Sequence, residues 1–313
     1  MIGDNIAVID LGTNSFHLLI ATIEEHGFEE LVKKKEFVHL ASNGIENISD
    51  EAFDKGLAVI KEFKRLMQEY SVRDYRIVGT AGMRIAKNSE DFRKHIYDEF
   101  DMRVDVIDGD TEAELIYHGV KTAVMFNGSK RLIMDIGGGS TEFIIANSKQ
   151  IFWKKSFPLG ARVLANKFHT ADPISTVEFQ KLVGFLEHEL TDLWEQIDLH
   201  QPIGLVGASG SFRSLVNLQQ GLNQIFPVLE EPSDVVNVSG FRVAHLTMLK
   251  STLKERLRIM EVEPERAPIM PVATTLISVV LTKMPHNRSI TVSHHALKEG
   301  LLWKMREQYF AEV

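Results

Sequence analysis

Two distant stretches of this chain carry one pattern. Residues 9–21 read Ile-Asp-Leu-Gly-Thr-Asn-Ser-Phe-His-Leu-Leu-Ile-Ala, and residues 134–146 read Met-Asp-Ile-Gly-Gly-Gly-Ser-Thr-Glu-Phe-Ile-Ile-Ala. Each is an apolar run ended by Asp, a turn opened by Gly and closed by Ser, and a second apolar run. Apolar runs around a short Gly/Asn turn predict a β-hairpin. A recurrence of this kind points to a duplicated architecture. Two unrelated hairpins are the competing explanation. The shared Asp-apolar-Gly-x-x-Ser core, with strands on both sides, favours duplication.

The length of 313 residues accommodates two domains at about 150 residues each. The second copy sets the boundary near Lys121–Lys130, giving domains over 1–124 and 125–313. A helix follows the first hairpin over 50–69, with Ser49 as N-cap and a stripe through Phe53, Leu57, Ile60, Lys64 and Met67. A third strand is expected near Glu36–Leu40. Strands then alternate with helices. Arg76–Gly79 and Val104–Ile107 read as strands, and helices start near Asn88 and Thr111. Thr111 and Glu114 fit a capping box, as do Ser175 and Glu178. Phe179, Leu182, Leu186, Leu190, Leu193 and Ile197 form one helical stripe. Gly204–Gly207 reads as a strand, 221–240 as a loop, and most of 241–309 as helix. Strand–helix alternation predicts an α/β fold.

Composition removes whole classes of function. Cysteine is absent, which excludes disulfides, Cys-ligated zinc, iron–sulfur clusters and a thiol nucleophile. A net charge of −8 argues against a basic nucleic-acid surface. The stretch Pro268–Leu281 is too short to span a membrane. The N-terminus lacks a basic leader, so a cytoplasmic protein is expected.

Binding a phosphate chain requires several backbone N–H groups converging without side-chain bulk. Gly137, Gly138, Gly139 and Ser140 supply this, and Gly12, Thr13, Asn14 and Ser15 do so less permissively. A tight turn without ligand is the alternative for either alone. Neither matches a Walker loop or a dinucleotide fingerprint. Asp10 and Asp135 end strands beside these turns, and Glu142 lies two residues beyond Ser140 on the same face. Carboxylates beside phosphate require a cation, and Mg2+ suits oxygen ligands of both kinds. Arg84 follows a small-residue loop and is placed to fork onto phosphate oxygens. Ser209 and Gly210 precede a helix N-terminus, a second anion-binding setting. For Glu112, in a first helical turn, the bland role is to complement the helix dipole. Lys33–Lys35 reads as a solvated face. His294–His295 reads as an ordinary buried-plus-exposed pair.

Asp10-Leu-Gly-Thr-Asn-Ser15, Gly79-Thr-Ala-Gly-Met-Arg84, Gly109-Asp-Thr-Glu-Ala113 and Asp135-Ile-Gly-Gly-Gly-Ser-Thr-Glu142 occur in this order. Phe157-Pro-Leu-Gly160, Gly207-Ala-Ser-Gly210, Glu265-Arg-Ala267 and Lys298-Glu-Gly-Leu-Leu302 follow. The ordered set resembles the exopolyphosphatase/guanosine pentaphosphate phosphohydrolase (Ppx/GppA) family, in its short two-domain form, within the sugar kinase–Hsp70–actin superfamily. Glu114, Pro268 and Ala296 depart from its usual residues.

The resemblance implies two actin-like (ribonuclease H-like) α/β domains around a ligand cleft, with the C-terminal helix able to pack back on the first. It implies release of terminal orthophosphate from inorganic polyphosphate or guanosine pentaphosphate, with Mg2+ or alternatively Mn2+. Glu112 falls on the catalytic glutamate, and Arg84 is expected to share in catalysis by holding the chain or stabilising developing charge. Asp135 and Glu142 fall on acidic positions tied to metal and water, and Asp10 falls within a phosphate-binding motif. Arg84 and the Gly12–Ser15, Gly137–Ser140 and Ser209–Gly210 segments fall on phosphate-binding ones. A homodimer is compatible with it; nucleic acid and membrane partners are not implied. An ATP-dependent small-molecule kinase of the superfamily, or a nucleotide sensor without turnover, are the competing functions.

Overall fold

The computed structural model describes residues 3–40, 44–223, 231–284 and 286–311. They form, in chain order, β1 (Asn5–Leu11), β2 (Ser15–Glu24), β3 (Gly27–Phe37), α1 (Asp50–Glu69), β4 (Asp74–Gly79), α2 (Ala81–Ile85), α3 (Ser89–Phe100), β5 (Asp105–Val106), α4 (Gly109–Ala123), β6 (Arg131–Ile136), β7 (Thr141–Ala146) and β8 (Ile151–Phe157). Then follow α5 (Ala161–Phe168), α6 (Thr176–Glu189), α7 (Thr191–His200), β9 (Leu205–Ala208), α8 (Gly210–Asn223), β10 (Ser233–Asn237), α9 (Val238–Lys250), α10 (Leu253–Arg256), α11 (Met270–Thr282), β11 (Ser289–Ser293) and α12 (Leu297–Ala311).

The chain divides into two compact units. The first holds Met1–Gly119, the turn residues Gly137–Gly139 and Ala296–Val313. The second holds Val120–Ile136 and Ser140–His295.

Both units are α/β, and their sheets repeat one plan. In the first, the order is β3-β2-β1-β4-β5. The β1–β2 and β2–β3 pairs are antiparallel, and β1–β4 and β4–β5 are parallel. In the second, β8-β7-β6-β9-β11 repeats that order and sense, with β10 added antiparallel at the edge. The duplication read from residues 9–21 and 134–146 is thus a duplication of whole sheets.

The continuous apolar run in β2 follows from burial on both faces. Phe16, Leu18 and Ile20 pack with Ala7, Ile9 and Leu11 under α1 and α3. Leu19, Ala21 and Ile23 turn the other way, with Ile6 and Val8, and are covered by Leu302 and Met305 of α12. The α1 N-terminus is capped by Ser49, whose hydroxyl accepts from Ala52 N–H. The Ser175–Glu178 capping box also forms, at the start of α6. The apolar stretch over Pro268–Leu281 is mostly α11, which lies at the centre of the second unit's core. Among the described residues no helix is long and apolar enough to cross a membrane.

Several local expectations are corrected. The third strand is β3, which begins at Gly27, ahead of the residues 36–40 assigned to it. The stripe from Phe179 to Ile197 belongs to two helices, α6 and α7, with Leu190 between them. A strand, β11, interrupts the helical 241–309. Within 221–240 residues 233–237 form β10, while 224–230 lie outside the described residues. Lys33 is exposed as expected, and it also pairs with the fully buried Glu299 at 3.2 Å.

In the second unit, the His245 imidazole stacks on Phe241, with ring centroids 5.9 Å apart. Its Nδ1–H donates to Thr274 Oγ1 at 3.0 Å, because the Thr274 hydroxyl is itself spent on Met270 O. Burial holds its pKa down at about 4, against 6.5 in an unfolded chain. The unfolded state therefore takes a proton that the native site refuses. This stability is complete above pH 6.5 and drains away as pH falls towards 4. The loss is expected to be roughly 2–3 kcal/mol. Denaturant melts across that range should show the slope, and His245→Gln should flatten it.

Candidate active site

In the first unit, β1 and β2 place Asp10 directly across from His17. The Gly12 N–H donates to Ser15 O at 3.1 Å. A Cβ on Gly12 would lie 2.8 Å from that same oxygen, so the turn requires glycine. Two of the turn's polar side chains lean on imidazoles. Ser15 Oγ is 2.9 Å from His17 Nε2, and Asn14 Oδ1 is 2.8 Å from His39 Nδ1.

The second turn's Gly137–Gly139 belongs to the same unit. A Cβ on Gly138 would lie 3.2 Å from Thr13 Cβ. One on Gly139 would lie 2.8 Å from Thr13 Oγ1 and 2.9 Å from Ala81 Cβ. Gly82 is equally close, its Cβ position 3.2 Å from Thr13 Cα. Helix α2 therefore abuts both glycine turns, and its last turn carries Arg84. The Arg84 Nη1 donates to Glu112 Oε2 at 2.7 Å and to Ile107 O at 2.9 Å.

Glu112 is 7% exposed. Burial raises its pKa above the ordinary carboxylate value, with Arg84 pulling the other way. Its position is set by the α4 cap, which is Asp108 and not the Thr111–Glu114 box. Asp108 Oδ1 accepts from Thr111 N–H at 2.7 Å, and Asp108 O accepts from Glu112 N–H at 3.0 Å. Glu114 instead takes Lys304 of α12 at 2.6 Å.

In the second unit, Asp135 and Glu142 face each other across β6 and β7. They are 8% and 1% exposed, respectively. Glu142 Oε1 accepts from Ser156 Oγ at 2.7 Å. Opposed buried carboxylates repel, and a cation relieves that repulsion. The duplicated sheet puts His17 where Glu142 stands in the second copy, so the first hairpin has no such carboxylate pair. Asp10 has an ammonium neighbour in Lys298 of α12. Burial opposes the Lys298 charge, yet Glu299 and Asp10 hold its pKa above the usual lysine value.

Asp135 is also in register with Ala208 on β9, which leads into the Ser209–Gly210 turn. Ser209 has a left-handed φ of 80°. The Ser209 and Ser211 hydroxyls are buried without a hydrogen-bond partner among the described residues. The Arg266 guanidinium lies against Gly210, where a Cβ would come within 1.8 Å of Nη2, and its Nε donates to Glu263 Oε2 at 2.8 Å. A helix N-terminus, two unsatisfied hydroxyls and a guanidinium are the donors an anion needs.

The structure thus gathers Gly12, Thr13, Asn14, Ser15, Arg84, Glu112 and Gly137–Gly139 in the first unit, with Asp10 on the adjoining strand. Asp135, Ser140, Glu142, Ser209 and Gly210 lie in the second. His294 and His295 belong to neither group. They follow β11 and precede α12, with His294 on Asp234 and His295 on Thr122.

Sequence reasoning missed Arg266, His17, His39, Lys298 and Ser156. For His17 a signal existed, since hairpin register alone sets it across from Asp10. Arg266 and Lys298 lay inside recognised motifs. Ser156 and His39 had none.

The model of the Ppx/GppA phosphatase family matches residues 19–309. A guanosine-5'-triphosphate,3'-diphosphate pyrophosphatase of Photobacterium profundum is 30% identical over 304 residues, covering 96% of this chain and 59% of the relative. The chain thus spans about three-fifths of that protein's length. A putative exopolyphosphatase of Haemophilus influenzae is 27% identical over 306 residues, covering 97% of this chain and 92% of its own. The crystal structure of an exopolyphosphatase from Cytophaga hutchinsonii ATCC 33406 superposes with a TM-score of 0.93 at 36% identity. It covers 97% of this chain and 98% of that one. With the motifs in order from Asp10 to Lys298 and the family match over nearly their whole span, this chain belongs to the Ppx/GppA phosphatase family.

Proposed function

We propose that the chain is a phosphohydrolase that releases terminal orthophosphate from inorganic polyphosphate or guanosine pentaphosphate. The observation that carries this reading is a single short helix, α2. It touches the glycine turns through Ala81 and Gly82 and grips the buried Glu112 through Arg84. Backbone donors for a phosphate chain and a carboxylate suited to activating water are thereby held on one support.

The chemistry is in-line attack of water on the terminal phosphorus. The water oxygen bonds to phosphorus as the bridging P–O bond breaks, and the electron pair leaves with the shortened chain. Glu112 Oε2 is occupied by Arg84, so Oε1 takes the water's proton. Burial raises its basicity, which suits the task. Arg84 holds that carboxylate in place, and the N–H groups of the turns bind the non-bridging oxygens.

The donor set fits Mg2+. Among the described residues no group of three His, Cys, Asp or Glu side chains forms a ready cage. Mg2+ is commonly held by one or two carboxylates plus substrate phosphates. Asp135 and Glu142, opposite each other in the second unit, would hold it. Bound there, it would neutralise phosphate charge. A cytoplasmic location and a homodimer are part of the same reading.

Purified protein incubated with Mg2+ should release orthophosphate from tripolyphosphate, longer polyphosphates or guanosine pentaphosphate with no acceptor present. EDTA should remove most of that release, and added Mg2+ should restore it. Release that is undiminished in EDTA would overturn the carboxylate–cation assignment. Phosphate transfer only when a hydroxyl acceptor is added would replace hydrolysis with a kinase reaction.

A further inference from the structure

The first glycine turn is held from outside by a residue with an unusual backbone. His39 adopts a left-handed φ of 58°, a conformation in which a residue with a Cβ is strained. Three bonds tie this corner to Asn14. The Val38 and His39 N–H groups both donate to Asn14 O, at 3.0 and 2.9 Å. The His39 imidazole meets Asn14 Oδ1 at 2.8 Å. The ring is itself braced, stacking on Phe37 at 5.7 Å between centroids, with Lys35 Nζ 4.3 Å above the Phe37 ring.

These contacts have a chemical consequence. A carboxamide has one accepting and one donating end. With Nδ1–H of His39 on Oδ1, the Asn14 amide is locked in one of its two flip states, and its NH2 lies on the side away from His39. A phosphate chain offers only acceptors, so the NH2 is the useful end.

We infer that His39 is a positioning residue that fixes the Asn14 amide with its donor end presented to the substrate's phosphate oxygens. This rests on the phosphate-binding reading of the first turn. His39 does not touch substrate; it acts through Asn14.

The test is steady-state phosphate release from tripolyphosphate by the wild type, His39→Gly, His39→Asn, Asn14→Ala and the His39→Gly/Asn14→Ala double variant, with melting points on the same samples. His39→Gly should raise KM by about tenfold, the scale of one oriented hydrogen bond, and leave kcat within about twofold. Its melting point should hold or rise, because glycine takes this backbone without strain. His39→Asn, tolerant of the left-handed region and still polar, should fall between. The double variant should match Asn14→Ala, since His39 has nothing left to position.

An unchanged KM in His39→Gly, with Asn14→Ala impaired, would overturn this inference and leave the phosphohydrolase reading standing. Independent, multiplying effects of the two substitutions would do the same. So would a kcat loss that tracks a lowered melting point, which is what a purely structural histidine produces. Absence of phosphate release by the wild type would overturn both.

Discussion

Glu112→Gln is expected to lower phosphate release by about 10²–10⁴-fold, the usual cost of losing a general base, while leaving substrate binding nearly intact. Glutamine keeps the size and one accepting oxygen, so the Arg84 contact that now runs to Oε2 at 2.7 Å survives in weaker form. What is lost is the ability to take a proton from water. A residue that merely complements the helix dipole predicts something different: a stability change of about 0.3–1 kcal/mol with near-normal turnover. Phosphate release at saturating substrate and a melting curve on the same sample separate the two. Retention of more than about a tenth of wild-type turnover, with chemistry rate-limiting, rejects the base assignment. Glu114→Gln is the paired control. Its partner is the half-buried Lys304, and a pair open to solvent is worth about 0–1 kcal/mol. Turnover should stay close to normal.

Gly300→Ala should destabilise the protein by about 3 kcal/mol or more, at the upper end of what overpacking costs. At this crossing α4 and α12 meet backbone to backbone. A Cβ on Gly300 would lie 1.8 Å from Leu115 O and 2.8 Å from Gly119 N; one on Gly119 would lie 1.8 Å from Ala296 O. No rotamer change relieves a clash with backbone, so the helices must part. The consequence reaches the active site, because α4 carries Glu112 in its first turn. Displacement of a catalytic group by about 1 Å can cost on the order of 10²-fold in rate, so turnover should fall with the melting point. Gly184→Ala is the counter-case. It lies inside α6 with nothing within 4 Å of its Cβ position, and alanine there should stabilise by about 0.5–1 kcal/mol. Thermal melts of the two variants should move in opposite directions. A melting point for Gly300→Ala within a degree of wild type would mean the two helices do not depend on this crossing.

Local chemistry was enough to read the duplicated hairpins, the placement of Asp10 and Asp135 at strand ends, and the Ser49 cap of α1. Each depends on residues a few positions apart, where alternation, turn chemistry and capping act directly on the backbone. The same local logic misassigned Glu114. A hydroxyl residue and a glutamate three apart fit a capping box, but Asp108 lies closer to the helix start and takes the N–H first. Glu114 was then available to Lys304, 190 residues away. Lys33 stays exposed, as three consecutive lysines suggest, but local spacing gave no sign that α12 brings the buried Glu299 against it. The sequence by itself determined the α/β class, the repeated hairpins and the residue types that a phosphate site requires. Only the tertiary structure decided that Arg84 holds Glu112, that Arg266 covers Gly210, that His39 braces Asn14 and that Lys298 lies near Asp10. Spacing along the chain encodes burial and hydrogen bonding within one element. Which charged groups meet is set by how helices cross and sheets stack, and that is a property of the packed whole.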